Sequence, residues 1–250
     1  MSSTRLDKYL FENGFCDSRS KAREMLDAGV VSINGEVVTK PSRKVIDTDQ
    51  VAAKPLPQHN YVSRAGYKLE KALDCIGLSV DGLMVLDIGQ STGGFSDCLI
   101  QRGAKTVVGI DVGTDQLHAC LKDHEQIKNH ENVNAKDLAC FLESHSLVKS
   151  FDFIVMDLSF ISMTKVVGQF SKALAPSGKI LSLIKPQFEL GPQALDSYGV
   201  VRDKSLYSGL EVKIKEVMRQ EGFRVLEYLE SELVGKSGNK EFFVYAEYSR

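Results

Sequence analysis

An apolar run, Val85-Leu86-Asp87-Ile88, passes straight into Gly89-Gln90-Ser91-Thr92-Gly93-Gly94-Phe95, and this junction of strand and glycine loop limits the chain to a small set of folds. Glycines at 89, 93 and 94 let the backbone turn sharply and approach a ligand closely, and the residues from Phe95 to Arg102 read as the helix that follows. The pattern differs from the Gly-x-Gly-x-x-Gly of dinucleotide binders and lacks the closing Gly-Lys-Ser/Thr of a P-loop. A second apolar run, Thr106-Val107-Val108-Gly109-Ile110, ends in Asp111, roughly twenty residues on, where a carboxylate can hold ribose hydroxyls. The two runs together predict a ribose-bearing cofactor gripped by Asp87, Gly89, Gln90, Ser91, Thr92, Gly93, Gly94, Phe95 and Asp111.

From Met84 onward, apolar runs at 84–86, 106–110, 153–156 and 180–184 alternate with turns and helical patterns, which predicts an α/β, Rossmann-like, doubly wound sheet. Two more strands are expected at 223–228 and 241–246, and the stripe Leu206, Leu210, Ile214, Val217 reads as a core helix. Ligands of open α/β sheets bind outside the carboxyl ends of the strands, so Asp87, Asp111, Asp157 and Lys185 should share one rim. Asp157 follows the buried run Phe153-Ile154-Val155-Met156, and Lys185 follows Leu181-Ser182-Leu183-Ile184. A charge at the end of each of two such strands, beside a cofactor loop, suggests a functional pair. Lys68, in Ser63-Arg64-Ala65-Gly66-Tyr67-Lys68-Leu69, is a further lysine able to reach the crevice.

The front of the chain reads as a separate module over residues 1–54, with a linker at 55–62 and the large domain at 63–250. Two prolines and the loss of periodicity between Val51 and Gln58 mark the break. Leu6, Tyr9 and Leu10 recur at helical spacing, and Asp17 or Ser18 caps a second helix with Ala22, Met25 and Leu26 on one face. Arg19 and Arg23 lie one turn apart, placed to straddle nucleic-acid phosphates. Val30-Val31-Ser32-Ile33-Asn34-Gly35-Glu36-Val37-Val38 then reads as a hairpin with a type I′ turn. The net charge of −2 argues against indiscriminate polyanion binding. Its distribution is uneven: residues 1–71 hold twelve Lys/Arg against nine Asp/Glu, and the rest hold nineteen against twenty-four.

Five cysteines, at 16, 75, 98, 120 and 140, form no Cys-x-x-Cys pair, so reduced, mostly buried thiols are expected and no metal site. The five histidines show no ligand spacing either. No apolar run is long enough to cross a bilayer and the start is polar, which predicts a cytoplasmic protein without stable membrane association.

Arg5-Leu6-Asp7-Lys8-Tyr9-Leu10, Ser18-Arg19-Ser20-Lys21-Ala22, Val31-Ser32-Ile33-Asn34-Gly35 and Pro41-Ser42 resemble the small RNA-binding module named after ribosomal small-subunit protein four. That resemblance implies RNA contacts from Arg5, Lys8, Arg19, Ser20, Arg23 and Arg43, with Arg64 a further basic candidate at the start of the large domain. Lys68, Asp157, Lys185 and Glu241 match the Lys-Asp-Lys-Glu tetrad of FtsJ-like ribose 2′-O-methyltransferases. With Asp157-x-Ser159-Phe160-Ile161-Ser162, Lys185-Pro186-Gln187-Phe188-Glu189 and Gly238-Asn239-Lys240-Glu241-Phe242, nearly the whole chain is similar to the TlyA family. The resemblance implies a class I methyltransferase sheet, S-adenosylmethionine as cofactor, and cytidine 2′-hydroxyls of ribosomal RNA, free or in ribosomal subunits, as acceptors. In that scheme Lys185 is the base, Asp157 orients it near the cofactor methyl, Lys68 adds positive field, and Glu241 positions Lys68 or the ribose. Asp111 holds the cofactor ribose, while Asp137 either lies near the adenine or caps a helix. Gln90 stands where the family commonly has alanine, and predicts an extra polar contact or a looser cofactor fit. Two other classes stay open: a non-catalytic ribosome assembly factor on the same fold, and a haemolysin-type membrane-active protein. Oligomeric state is not specified.

Overall fold

A computed structural model describes residues 3–16, 18–46, 48–54, 61–235 and 238–249, apart from the side chain of Ser20. The chain divides into two compact units, Met1–Asn60 and Tyr61–Arg250.

In the first unit, β1 (Ser3–Arg5) leads into α1 (Leu6–Glu12) and α2 (Arg19–Asp27), followed by β2 (Val31–Ile33), β3 (Glu36–Val37), β4 (Lys44–Ile46) and β5 (Val51–Ala53). Leu6, Leu10, Ala22, Met25, Leu26, Val31, Ile33 and Val45 close its core. The α2 cap is Ser18, whose side chain accepts from the Lys21 amide at 3.2 Å; the other cap candidate, Asp17, lies outside the described residues. Asn34 and Gly35 both have positive φ, 52° and 86°, the paired left-handed geometry of a type I′ turn. Val51–Ala53 lies in the stretch where periodicity lapses, yet it pairs antiparallel with β2. β1 is a polar strand held by antiparallel pairing with β4 rather than by an apolar pattern.

The second unit runs α3 (Arg64–Ile76), β6 (Met84–Ile88), α4 (Gly94–Gln101), β7 (Thr106–Ile110), α5 (Ala119–Lys122), β8 (Ile127–His130), α6 (Leu138–Ser144) and β9 (Phe151–Met156). It continues with α7 (Phe170–Ala173), β10 (Leu174–Ile184), α8 (Pro186–Glu189), α9 (Leu206–Gln220), β11 (Phe223–Glu230) and β12 (Phe242–Tyr248). The seven strands lie in the order β11-β12-β10-β9-β6-β7-β8, with β12 antiparallel to both neighbours and the remaining pairs parallel. β8 carries only one fully buried residue, Ile127, so this edge strand has no apolar run by which sequence could reveal it. Leu210, Ile214 and Met218 of α9 pack into the core on one face of the sheet, and Leu69, Leu73 and Leu99 of α3 and α4 into the core on the other. The chain leaves β6 outward through β7 and β8, then returns to β9 on the opposite side of β6. That reversal opens a crevice at the carboxyl ends of β6 and β9.

The cysteines depart from expectation: only Cys98 is buried, Cys16 is half-buried, and Cys75, Cys120 and Cys140 are exposed. Among the described residues no helix is long and apolar enough to cross a membrane, and no group of three potential ligands suits a metal ion.

Candidate active site

The crevice is a cavity of about 440 Å³ lined by Gly89, Ser91, Asp111, Asn134, Ala135, Asp157, Ser159 and Phe160 among others, a size that suits a small organic cofactor. Its floor is the loop after β6. Gly89 has φ +85°, and a Cβ there would lie 2.7 Å from the Asp157 carbonyl oxygen, so two strand ends approach more closely than any side chain permits. Ser91 also adopts a left-handed conformation, φ 47°. The Asp111 carboxylate is fixed at both ends, accepting from the Ser91 amide at 2.9 Å and the Gly113 amide at 2.7 Å. Each oxygen keeps a further lone pair for a ligand hydroxyl.

Asp87 and Gln90 belong to the layer beneath the cavity. Gln90 Nε2 donates to Ser96 Oγ at 2.7 Å, and Ser96 Oγ donates to Asp87 Oδ2 at 2.7 Å. Burial pushes the Asp87 carboxyl up to about 7, helped by the nearby Asp157 and Asp111 charges and opposed by the Ser96 bond. Gln90 is buried and does not line the cavity; its extra polar contact is internal. Asp137 is exposed at the start of α6, makes no side-chain cap bond and does not line the cavity, whereas its neighbours Asn134 and Ala135 do.

Strand register brings the tetrad together. Ile184 of β10 pairs with Phe242 of β12, so Lys185 and Glu241 are the next residues outward on adjoining strands, and Ser182 pairs with Met156, immediately before Asp157. The four residues form two ion pairs. Lys68 Nζ donates to Glu241 Oε2 at 2.5 Å, both side chains being almost fully buried. Lys185 Nζ approaches Asp157 Oδ1 to 2.5 Å, an ionic contact whose angles do not make a hydrogen bond.

Several contributors stood in matched motifs or in the expected linker without a role that the sequence assigned. The aligned hydrogen bond of Lys185 goes to Ser159 Oγ, at 2.9 Å. Asp97 of α4 accepts the Val62 amide at 2.7 Å, and buried Tyr61 donates to Glu70 at 2.8 Å, so these residues from the end of the expected linker pack beside the cofactor loop. Gly66 of α3 tolerates no side chain, since its Cβ would meet Tyr61 Cγ at 2.5 Å and the Gly94 carbonyl at 2.9 Å.

In the amino-terminal unit, three of the predicted RNA-contacting arginines surround one carboxylate. Arg5 grips Asp7 with two bonds of 3.0 and 3.1 Å, Arg19 donates to it at 2.8 Å, and Arg23 lies 3.9 Å away. Asp7 is fully covered, while the arginines stay roughly half-exposed. The cluster holds a net charge of two positives with its guanidinium planes pre-set. Lys8 pairs with Glu12 at 3.4 Å, Arg43 is exposed, and Arg64 makes a 3.4 Å contact with the Val234 carbonyl; the Ser20 side chain lies outside the described residues. The Arg5 hydrogen bonds, ahead of the Arg19 contribution, hold the Asp7 carboxyl well below the usual carboxylate range. A depressed carboxylate stabilises the fold above its unfolded value, about 3.9, and the contribution fades as pH falls through the native value. Asp7→Asn should therefore cost on the order of 1 kcal/mol at neutral pH, the half-exposed partners limiting the figure. Urea titrations should show the gap between variant and wild type closing below about pH 4; a gap independent of pH would show that the ion cluster is not its source.

Comparison with known proteins agrees with this architecture. The FtsJ-like methyltransferase family matches residues 61–248, and the S4 domain matches residues 4–51. Hemolysin A of Brachyspira hyodysenteriae is 38% identical over 96% of this chain and 98% of its own length. The 16S/23S rRNA (cytidine-2′-O)-methyltransferase TlyA of Mycobacterium tuberculosis is 34% identical over 96% of this chain and 88% of its own. A solved structure of a Streptococcus thermophilus protein of hemolysin designation superposes with a TM-score of 0.76 at 33% identity, covering all of this chain and 90% of that one. Two motif-bearing units, a seven-stranded sheet with β12 reversed, and matches spanning nearly the full length place this chain in the FtsJ-like methyltransferase family, with an S4 domain preceding the catalytic fold.

Proposed function

We propose that this protein methylates ribose 2′-hydroxyls of ribosomal RNA, at cytidine, using S-adenosylmethionine. The observation that carries the reading is the pair of lysine–carboxylate contacts on three adjoining strand ends and α3, opening beside the glycine-loop cavity. The cavity residues fit the cofactor: Asp111 keeps acceptor capacity for two ribose hydroxyls, Gly89 lines the cavity without a side chain, and Asn134 and Ala135 offer a wall for the adenine. When bound, S-adenosylmethionine supplies an electrophilic sulfonium methyl.

The chain must then activate a weak nucleophile and hold it in line. From its neutral form, reached when the ammonium of the resting ion pair with Asp157 gives up a proton to solvent, Lys185 Nζ takes the proton of the 2′-hydroxyl, breaking the O–H bond and becoming an ammonium again as the oxygen gains the methyl, whose bond to sulfur breaks. Asp157, in ionic contact with that amine, offsets the charge that develops. Lys68 is neutralised by Glu241, so the pair contributes little net field. Its role is orientation, the remaining N–H groups of Lys68 and the second Glu241 oxygen fixing the ribose. The S4 unit recruits the RNA through the arginines around Asp7.

The direct test offers ribosomal subunits and free rRNA labelled S-adenosylmethionine and maps the ribose methylation. Label at a discrete 2′-hydroxyl supports the reading, and none on any subunit or RNA despite cofactor binding turns it toward an assembly factor. Replacing Arg19 and Arg23 together by alanine should weaken RNA binding and lower the slope of log affinity against log salt by about two, with cofactor affinity unchanged. An unaltered slope would remove these arginines from the RNA interface.

A further inference from the structure

Lys185 has two neighbours of different character. The Asp157 contact supplies charge without direction, whereas the bond to Ser159 Oγ is aligned. A neutral amine carries two N–H bonds and one lone pair at three staggered positions around the Cε–Nζ axis. Unpinned, the lone pair samples all three positions, of which only one can face a given hydroxyl; one N–H held at Ser159 and the other drawn toward the Asp157 charge leave it the third.

The segment carrying Ser159 is held in place from both sides. Its start is tied to β6 by the Asp157 amide, which donates to the Ile88 carbonyl at 3.0 Å. Its far end is tied by Glu189, a buried carboxylate that accepts from Ser162 Oγ at 2.5 Å and from the Met163 amide at 2.7 Å. Glu189 closes the short helix that begins immediately after Lys185, so one segment bears the amine and anchors the loop that contacts it. Between the anchors Phe160 adopts φ +66°, a left-handed conformation that is costly for an aromatic residue and persists only where its surroundings enforce it. The strained turn leaves Ser159 on the cavity wall within reach of Lys185.

We infer, on the methyltransferase reading of this site, that Ser159 is a positioning residue: its hydroxyl oxygen accepts one N–H of Lys185 and, with the Asp157 charge drawing the other, aims the lone pair of the amine at the acceptor ribose. Its contribution lies between the roughly 1.5-fold gain from denying the lone pair one of three wells and the ~100-fold cost of a 1 Å misplacement.

The test uses the full chain with S-adenosylmethionine and the ribosomal substrate, comparing wild type, Ser159→Ala, Ser159→Thr and Lys185→Ala. Ser159→Ala should lower kcat about 10-fold while leaving KM for RNA and cofactor affinity within about twofold of wild type. Ser159→Thr, which keeps the hydroxyl, should return most of the rate. Wild-type kcat in Ser159→Ala overturns the inference. So does a loss expressed in KM or cofactor affinity, or one that Ser159→Thr shares in full, because each marks a loop contact rather than an aimed amine. If Lys185→Ala abolishes turnover and Ser159→Ala does not, the methyltransferase reading stands and the Ser159 inference alone falls. If Lys185→Ala turns over like wild type, the reading beneath it falls as well.

Discussion

Lys185→Ala should lower methyl transfer about 1,000-fold, in the range of removing a general base, while cofactor affinity stays within about twofold. The expectation rests on where the amine lies. Lys185 follows the last residue of β10, and the bonds that order the proposed cofactor cavity run instead through the loop after β6 and Asp111. Removing the amine leaves Asp157 without its cation, in the company of Asp87, whose carboxyl is already pushed up by burial and by the Asp157 charge. Lys185→Met, which keeps most of the side-chain volume, separates the loss of the amine from the loss of packing. Calorimetric titration with S-adenosylmethionine beside single-turnover methylation decides the matter. A variant that no longer binds cofactor would make Lys185 a structural residue.

Gly89→Ala should weaken cofactor binding on the order of 30-fold, the equivalent of about 2 kcal/mol of strain at a left-handed position. Two costs add here: the backbone φ of +85°, and a Cβ placed 2.7 Å from the Asp157 carbonyl, where the neighbour is backbone and cannot swing aside. Relief must move the β6 loop or the Asp157 strand end, so turnover should fall with affinity. Gly77 is the control, since it is also left-handed, φ +63°, but caps α3 with nothing within 4 Å of its Cβ. Gly77→Ala should lower the melting temperature without changing cofactor affinity. Equal effects of the two substitutions on affinity would remove the close approach at Gly89 from the account.

Much of this arrangement was legible in the sequence because charges at the ends of apolar runs are conspicuous. Asp111, Asp157 and Lys185 each follow such a run, and all three come to the carboxyl rim of the sheet. Glu241 is different, lying 173 residues from Lys68; motif resemblance picked it out, and only the antiparallel register of β12 explains how it comes beside Lys185. Hydroxyls were legible at most as motif members. Ser159 stood in a matched motif and Ser96 looks like any helix serine, and the role of each follows from which partner lies within hydrogen-bond distance. Edge strands escaped for a related reason: β1 and β8 are held by backbone pairing to one neighbour and need no apolar alternation. Asp7 reads as an ordinary helix-start acid until the fold gathers three arginines around it.

The internal contact of Gln90 has an evolutionary side. Its side chain fills the space above Gly109 so completely that a Cβ on residue 109 would lie 2.0 Å from Gln90 Cδ. A side chain at 109 therefore displaces the far end of Gln90, and with it the amide donor of Ser96. Shortening Gln90 first vacates the space that a larger residue at 109 can then occupy. The two orders differ by the cost of that displacement, and either one passes through a state in which Ser96 loses its amide donor.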